Sequence, residues 1–271
     1  MSHLHIPDGV LPVWLWVLGW LVTLAAVGLS GRLSEREGSR RKVPLLAVVS
    51  ALMIVAMSSE IIPIAYHVNL TVIGGVLLGP ALSILAAFIV EIVLALLGHG
   101  GVTVLGLNTV LIGSEMVIGW ALFRLITRLL GHKSVRPAAF LATFVTLALT
   151  TVALLGIVSI GGNSATARET GALDPAELRF ENPFAGGVFE LGLFSGGEHE
   201  EEDGEHAEEA GLSVERFAAI VFTLGPIGWV LEGLLTAWIL GYAARVRPGL
   251  IWSGMQARSR LRPQGDEGTV S

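Results

Sequence analysis

Long apolar runs separated by short polar punctuation set the pattern of this chain. The first extends from Val10 to Leu29, and about 20 such residues cross a bilayer as a helix. Val43 to Ser58 is somewhat shorter, and apolar residues through Ile64 extend it. From Leu70 the chain stays apolar to Leu97, broken by Gly79-Pro80. Gly98-His99-Gly100-Gly101 then makes a turn before a run from Val102 to Leu125. Ala138 to Ile160 and Phe217 to Tyr242 complete the set. The pattern predicts about seven transmembrane helices. The crossing from Leu70 to Leu78 is the shortest, since about 10 residues cover only half of the hydrocarbon core. A single crossing with a re-entrant hairpin in the segment between His67 and Arg124 has the same parity.

Composition agrees with this reading. Hydrophobic residues make up 52% of the 271 and charged residues 15%, where a soluble domain carries about 25% charged. The expected fold class is therefore all-α, a polytopic helix bundle in the cell membrane. It divides into an amino-terminal segment (1–9), a transmembrane bundle (10–160), an acidic loop (161–216), a last helix (217–247) and a tail (248–271). Its surroundings are lipid, and no nucleic acid partner is expected.

Charge sets the expected orientation. Fourteen of the 17 Lys and Arg residues fall in Arg32 to Lys42, Arg124 to Arg136 and Arg245 to Arg262. Positive-inside bias puts these segments in the cytoplasm. The amino terminus is then outside and the carboxyl terminus inside. No basic residue precedes the first apolar run, so that run does not read as a secretory signal. Gly161 to Arg216 becomes an outer loop with fourteen of the 23 acids. Its Glu198-His199-Glu200-Glu201-Glu202-Asp203-Gly204-Glu205-His206 core reads as a solvated acidic stretch that would also attract divalent metal.

The chemistry available is that of binding. With no cysteine there is neither a disulfide nor a thiolate site. A phosphate-binding glycine loop with its Lys is absent, as is a His-Glu-x-x-His pair. The chain therefore reads as no enzyme, and any ATP hydrolysis belongs to partner subunits. The opening Met1-Ser2-His3-Leu4-His5 offers something else. A terminal amine, an amide nitrogen and an imidazole hold a divalent ion in a planar arrangement suited to Ni(II) or Cu(II). His67-Val68-Asn69 is placed on the outer side, near His3 and His5. His132 lies in a basic segment and reads as solvated.

Polar residues inside the spans are costly and are functional candidates for that reason. Glu91, Glu115 and Glu232 are such residues, and no Lys or Arg inside a predicted span is there to pair with them. Glu232 lies in Gly228-Trp229-Val230-Leu231-Glu232-Gly233, which suggests close helix packing. Asn108 lies a turn or two inside the helix after the His99 turn, where it would cap a helix end or orient a ligand.

Several of these segments resemble the CbiM/NikM family. They are His5-Ile6-Pro7-Asp8-Gly9, His67-Val68-Asn69-Leu70, Gly74 to Pro80, Gly98 to Asn108, Glu232 to Thr236 and Arg245-Val246-Arg247-Pro248. The resemblance implies the substrate-capture component of an energy-coupling-factor transporter for cobalt or nickel. It implies ATPase subunits, a transmembrane coupling subunit and a small accessory membrane subunit as partners. Co(II) or Ni(II) would be the transported substrate, with no permanently bound cofactor. The family's site combines the terminal amine, the amide and imidazole of a histidine at position two, and a histidine that maps by motif onto His67. His5 matches that second-position histidine by alignment. Ser2-His3 recreates the amine and imidazole if Met1 is removed, and Met1-Ser2-His3 supplies a planar set if it is kept. His99 stands where the family often has an acid. Ser2, His3, His5, His67 and His99 are thus the expected metal residues. Asp8, Asn69, Asn108 and Glu232 are the expected supporting or structural ones.

Two readings of other classes stand beside this one. A proton-coupled secondary carrier would use Glu91 or Glu115, and it would show an inverted internal repeat, which the sequence lacks. A metal-dependent membrane hydrolase would need an open coordination position and a base such as Glu60.

Overall fold

The computed structural model describes residues 11–36, 42–58, 60–61, 66–97, 101–131, 134–162 and 214–251. Seven helices lie among them: α1 (Val13–Arg36), α2 (Val43–Ser58), α3 (Thr71–Leu78), α4 (Pro80–Leu96), α5 (Leu105–Leu130), α6 (Val135–Gly162) and α7 (Val214–Val246). A helical turn at 248–251 follows α7. Between α2 and α3, the two-residue strands β1 (Glu60–Ile61) and β2 (Tyr66–His67) pair antiparallel, Glu60 opposite His67.

α1, α5, α6 and α7 are each long and apolar enough to cross a membrane, while α2 and α4 are apolar but shorter. α1, α5 and α7 run four to seven residues past the ends read from hydropathy, and each extension carries basic residues that a helix accommodates at the interface. The expected short crossing is the eight-residue α3, which at 1.5 Å per residue is only ~12 Å long. It stops at Gly79, whose φ of 81° and ψ of 171° suit glycine alone. Pro80 then opens α4 at a position where its missing N–H costs nothing.

Helices in lipid associate through van der Waals contact and close approach. The glycines show where. A Cβ on Gly106 of α5 would lie 2.6 Å from the Trp20 backbone nitrogen of α1, and one on Gly75 of α3 would lie 2.1 Å from the Met116 carbonyl oxygen of α5. The packing expected around Glu232 is present, since a Cβ on Gly233 would lie 2.9 Å from Phe140 of α6. Hydrogen bonds reinforce the first crossing: Trp20 Nε1 donates to the Thr103 carbonyl (2.9 Å) and Thr23 Oγ1 to the Gly106 carbonyl (2.6 Å).

The core has three parts. At one end Leu11, Leu15, Val104, Leu107 and Leu154 join the start of α1, the start of α5 and the far part of α6. A central cluster built on Met53, Ala86, Val90 and Met116 joins α2, α4 and α5. The third joins Val72, Val76, Phe123, Ala138 and Leu240. α3 thus packs into the half of the bundle that holds the end of α5, the start of α6 and the end of α7. Arg32, Lys42, Arg124, Arg128, Arg136 and Arg245 all belong to that same half. There Lys42 Nζ donates to the Leu78 carbonyl at 3.4 Å, at the end of α3, and the Arg124 guanidinium lies 5.2 Å from the Trp120 ring centroid.

Candidate metal-capture site

α3 fills only one half of the bundle depth, so the chain between α2 and α3 must cover the other half without a helix. Backbone of that kind at membrane depth persists where protein or a water-filled cavity satisfies its polar groups. The short β1–β2 ladder satisfies some of them, and it carries His67 on β2.

Asn69, two residues on, is buried, with 1% of its surface exposed. Its Nδ2 donates to Glu115 Oε1 on α5, and Thr71 Oγ1 at the start of α3 donates to the same oxygen. Thr150 Oγ1 on α6 lies 3.2 Å from the other oxygen, Oε2. The Thr150 hydroxyl also lies 3.1 Å from the Thr146 carbonyl, so its one proton serves one acceptor at a time. Glu115 itself has no exposed surface. It stands ten residues inside α5, ~15 Å along the axis from Leu105. The Asn69 segment is therefore drawn to mid-length of α5, deeper than the outer-surface loop that hydropathy suggested. The physical reason is the carboxylate, whose burial needs the Asn69 amide beside the hydroxyls that α3 and α6 supply.

The other intramembrane candidates are buried too: Glu91 on α4 at 1% exposed, Asn108 on α5 at 3% and Glu232 on α7 at 3%. Asn108 sits in the first turn of α5, its backbone N–H donating to the Val104 carbonyl at 3.0 Å. Among the described residues no group of three or more His, Cys, Asp or Glu side chains is placed to hold a metal ion. Ser2, His3, His5, Asp8, His99, His132, the side chain of His67 and residues 163–213 of the acidic loop lie outside the described residues, whereas the ends expected for that loop, 161–162 and 214–216, are helical and belong to α6 and α7. The structure brings Asn69 together with Glu115, which the sequence reading had left as a carrier candidate. The missed signal was partnership: Asn69, Thr71 and Thr150 are ordinary residues until the fold aims them at one carboxylate.

Comparison with known proteins agrees with this architecture. The family described as "Cobalt uptake substrate-specific transmembrane region", CbiM, matches residues 5–250. A relative from Haloquadratum walsbyi, named for metal transport, is 31% identical over 265 residues, 96% of this chain and 98% of its own length. Another from Halobacterium salinarum, named for cobalt transport, is 29% identical over 257 residues, 91% of this chain and 96% of its own. A crystal structure described as a transition metal transporter superposes with a TM-score of 0.64 over 95% of this chain and all of the other, at 17% identity, which is similarity of fold.

Proposed function

This chain belongs to the CbiM family of substrate-specific transmembrane regions for cobalt uptake, and on that premise we propose that it captures Co(II) or Ni(II) from outside through His67 and the histidines of its amino-terminal segment. The observation that carries the reading is the non-helical stretch bearing His67, anchored at mid-length of α5 through Asn69 and Glu115. Interrupted helices of this kind are where transporters build substrate sites. An imidazole is the ligand type that suits nickel and cobalt.

The amino-terminal segment has the reach to join His67. Leu11 packs with Val104 and Leu107 at the start of α5. His3 and His5 precede Leu11 by eight and six residues, and extended chain covers ~3.3 Å per residue. That is ~20–26 Å of chain against the ~15 Å from Leu105 down to Glu115. His67 in turn is two residues, at most ~7 Å, from Asn69. Asp8 and His99 are proposed to support or extend the ligand set, with Ser2 next to His3 in sequence. Glu232 and Asn108 hold helices together.

The gathering of basic residues at the opposite end supports an orientation with that end in the cytoplasm. Uptake is driven by partner ATPase subunits through a membrane coupling subunit, since the chain carries no phosphate-binding loop of its own.

Titration of the purified chain with Co(II) and Ni(II) tests the capture reading. One-to-one binding that is lost in His67→Ala, and in whichever of His3→Ala and His5→Ala removes the chelating residue, supports it and ranks the two metals. Weak binding that survives those substitutions and disappears on deletion of residues 198–209 would make the acidic loop the metal site instead. Uptake into vesicles lacking any ATPase partner would move the reading to a secondary carrier.

A further inference from the structure

The start of α6 and the end of α7 meet over a glycine. Gly241 is buried near the end of α7, and a Cβ there would lie 2.7 Å from Cγ and 2.8 Å from Nε of Arg136. The Arg136 side chain therefore lies across α7 in the space that Gly241 leaves open, and it remains exposed to the surroundings. Its place on α6 is not one that a helix favours. Arg136 is the second residue of α6, and the first turn of a helix attracts an anion and repels a cation.

Arg245 stands four residues beyond Gly241, in the last turn of α7, and is exposed as well. No Asp or Glu occurs from 116 to 168 or from 233 to 265, so neither arginine has an acid near it along the chain. The acid at the end of α1, Glu35, belongs to a helix that packs on α4 and α5.

The outer face of α7 leads up to this pair. Ile227, Leu231, Leu234, Trp238, Tyr242 and Arg245 follow one another at three- and four-residue steps, which is one stripe of an α-helix. All six are exposed, Trp238 at 67% and Tyr242 at 63%. Aliphatic side chains give way to aromatic ones and then to a guanidinium. That order is a phospholipid read from its chain ends to its phosphate: apolar tails, the interface that Trp and Tyr prefer, then the anion. A partner helix would need no such gradient.

We propose that the α6–α7 seam binds the headgroup of an anionic phospholipid. Arg136 and Arg245 hold the phosphate, Gly241 sets the Arg136 side chain across the seam, and Trp238 and Tyr242 border the interfacial part of the lipid. The start of α6 adds its positive pole. The site stands independently of the capture reading, and it selects net negative lipid because a choline headgroup would bring a cation against two arginines.

The test uses the full chain in detergent, stripped of lipid and titrated with phosphatidylglycerol, phosphatidylcholine and inorganic phosphate, with bound lipid counted by native mass spectrometry. Phosphatidylglycerol is expected to bind ~10-fold or more tightly than phosphatidylcholine, with inorganic phosphate much weaker than either anionic lipid arm. Arg136→Gln and Arg245→Gln should each weaken phosphatidylglycerol about fivefold, the contribution of one cation at a membrane surface, and leave phosphatidylcholine unchanged. Gly241→Ala displaces Arg136 and should lose as much as Arg136→Gln, while the two together lose no more than one alone. Should Gly241→Ala fail to fold, the two exposed arginines carry the test. Arg128→Gln removes an exposed charge from α5 at the same end and should stay within about twofold. A loss in Arg128→Gln equal to that in Arg136→Gln means a diffuse positive surface and overturns the site. Inorganic phosphate that displaces the lipid at matching concentration makes the ligand a free anion and overturns the lipid assignment. Equal binding of the two lipids overturns the inference outright. If the arginine variants then also fail to co-purify with a membrane coupling subunit, the face belongs to that protein.

Discussion

A carboxylate in the middle of a helix bundle is tolerable only while its donors stay in place. Thr71→Val tests this directly, since it keeps the β-branched shape and deletes one donor to Glu115. It is expected to cost about 1–3 kcal/mol, read as a lowered unfolding midpoint in detergent. An unchanged midpoint would mean that Thr71 contributes nothing to holding Glu115. At the same scale, His67→Ala and His132→Ala should part company. The first is expected to abolish Ni(II) and Co(II) binding. The second, in a basic segment far along the sequence from the capture residues, should leave the dissociation constant within twofold, about the spread expected of a remote surface change.

At the level of elements, the junction between α3 and α4 turns on one residue. Gly79 donates its N–H to the Gly75 carbonyl at 2.9 Å, and its own carbonyl accepts from the Ser83 backbone at 3.0 Å and the Ser83 hydroxyl at 2.7 Å. Gly79→Ala has room for its methyl but not the backbone conformation, so it should cost about 1–3 kcal/mol. The crossing of α1 and α5 fails for the opposite reason, lack of room. Gly106→Ala would drive its Cβ into the Trp20 backbone and should destabilise by about 1–3 kcal/mol. Gly28→Ala on the same α1, with nothing within 4 Å of its Cβ, should be neutral or slightly stabilising. Unfolding midpoints of the three variants side by side check the comparison. Equal shifts for Gly106→Ala and Gly28→Ala would mean that the two helices do not approach as described.

At the scale of the whole molecule, basic side chains of the described residues gather at one end of the bundle, and orientation follows from which side of the membrane that end faces. The chain has no cysteine, so single substitutions give clean reporters. Val102 and Leu130 are both exposed and stand near opposite ends of α5. Val102→Cys is expected to react with a membrane-impermeant thiol reagent applied to intact cells, and Leu130→Cys only after the membrane is opened. The reverse pattern would invert the proposed topology and put His67 on the cytoplasmic side.

Much of this architecture was legible from residues in order. Hydropathy located the long apolar helices α1, α5, α6 and α7 because bilayer thickness and helix rise together dictate the length of an apolar run. Gly79-Pro80 marked the break between α3 and α4 because each residue restricts its own backbone, with no help from neighbours. The segregation of Lys and Arg is likewise additive along the chain, so counting was enough to find the basic end. What no linear reading supplied was depth and partnership. Glu91, Glu115 and Glu232 look equivalent as carboxylates in apolar runs. Only the packing of α3 and α6 against α5 sets Glu115 apart, by bringing Asn69, Thr71 and Thr150, which are 46, 44 and 35 residues away, onto one carboxylate. The same packing draws Asn69 inward from the surface where its flanking polarity would leave it. Hydrogen bonds across helices depend on crossing angle and rotation. These are fixed by glycine contacts such as Gly75 on Met116 that exist only once the helices meet.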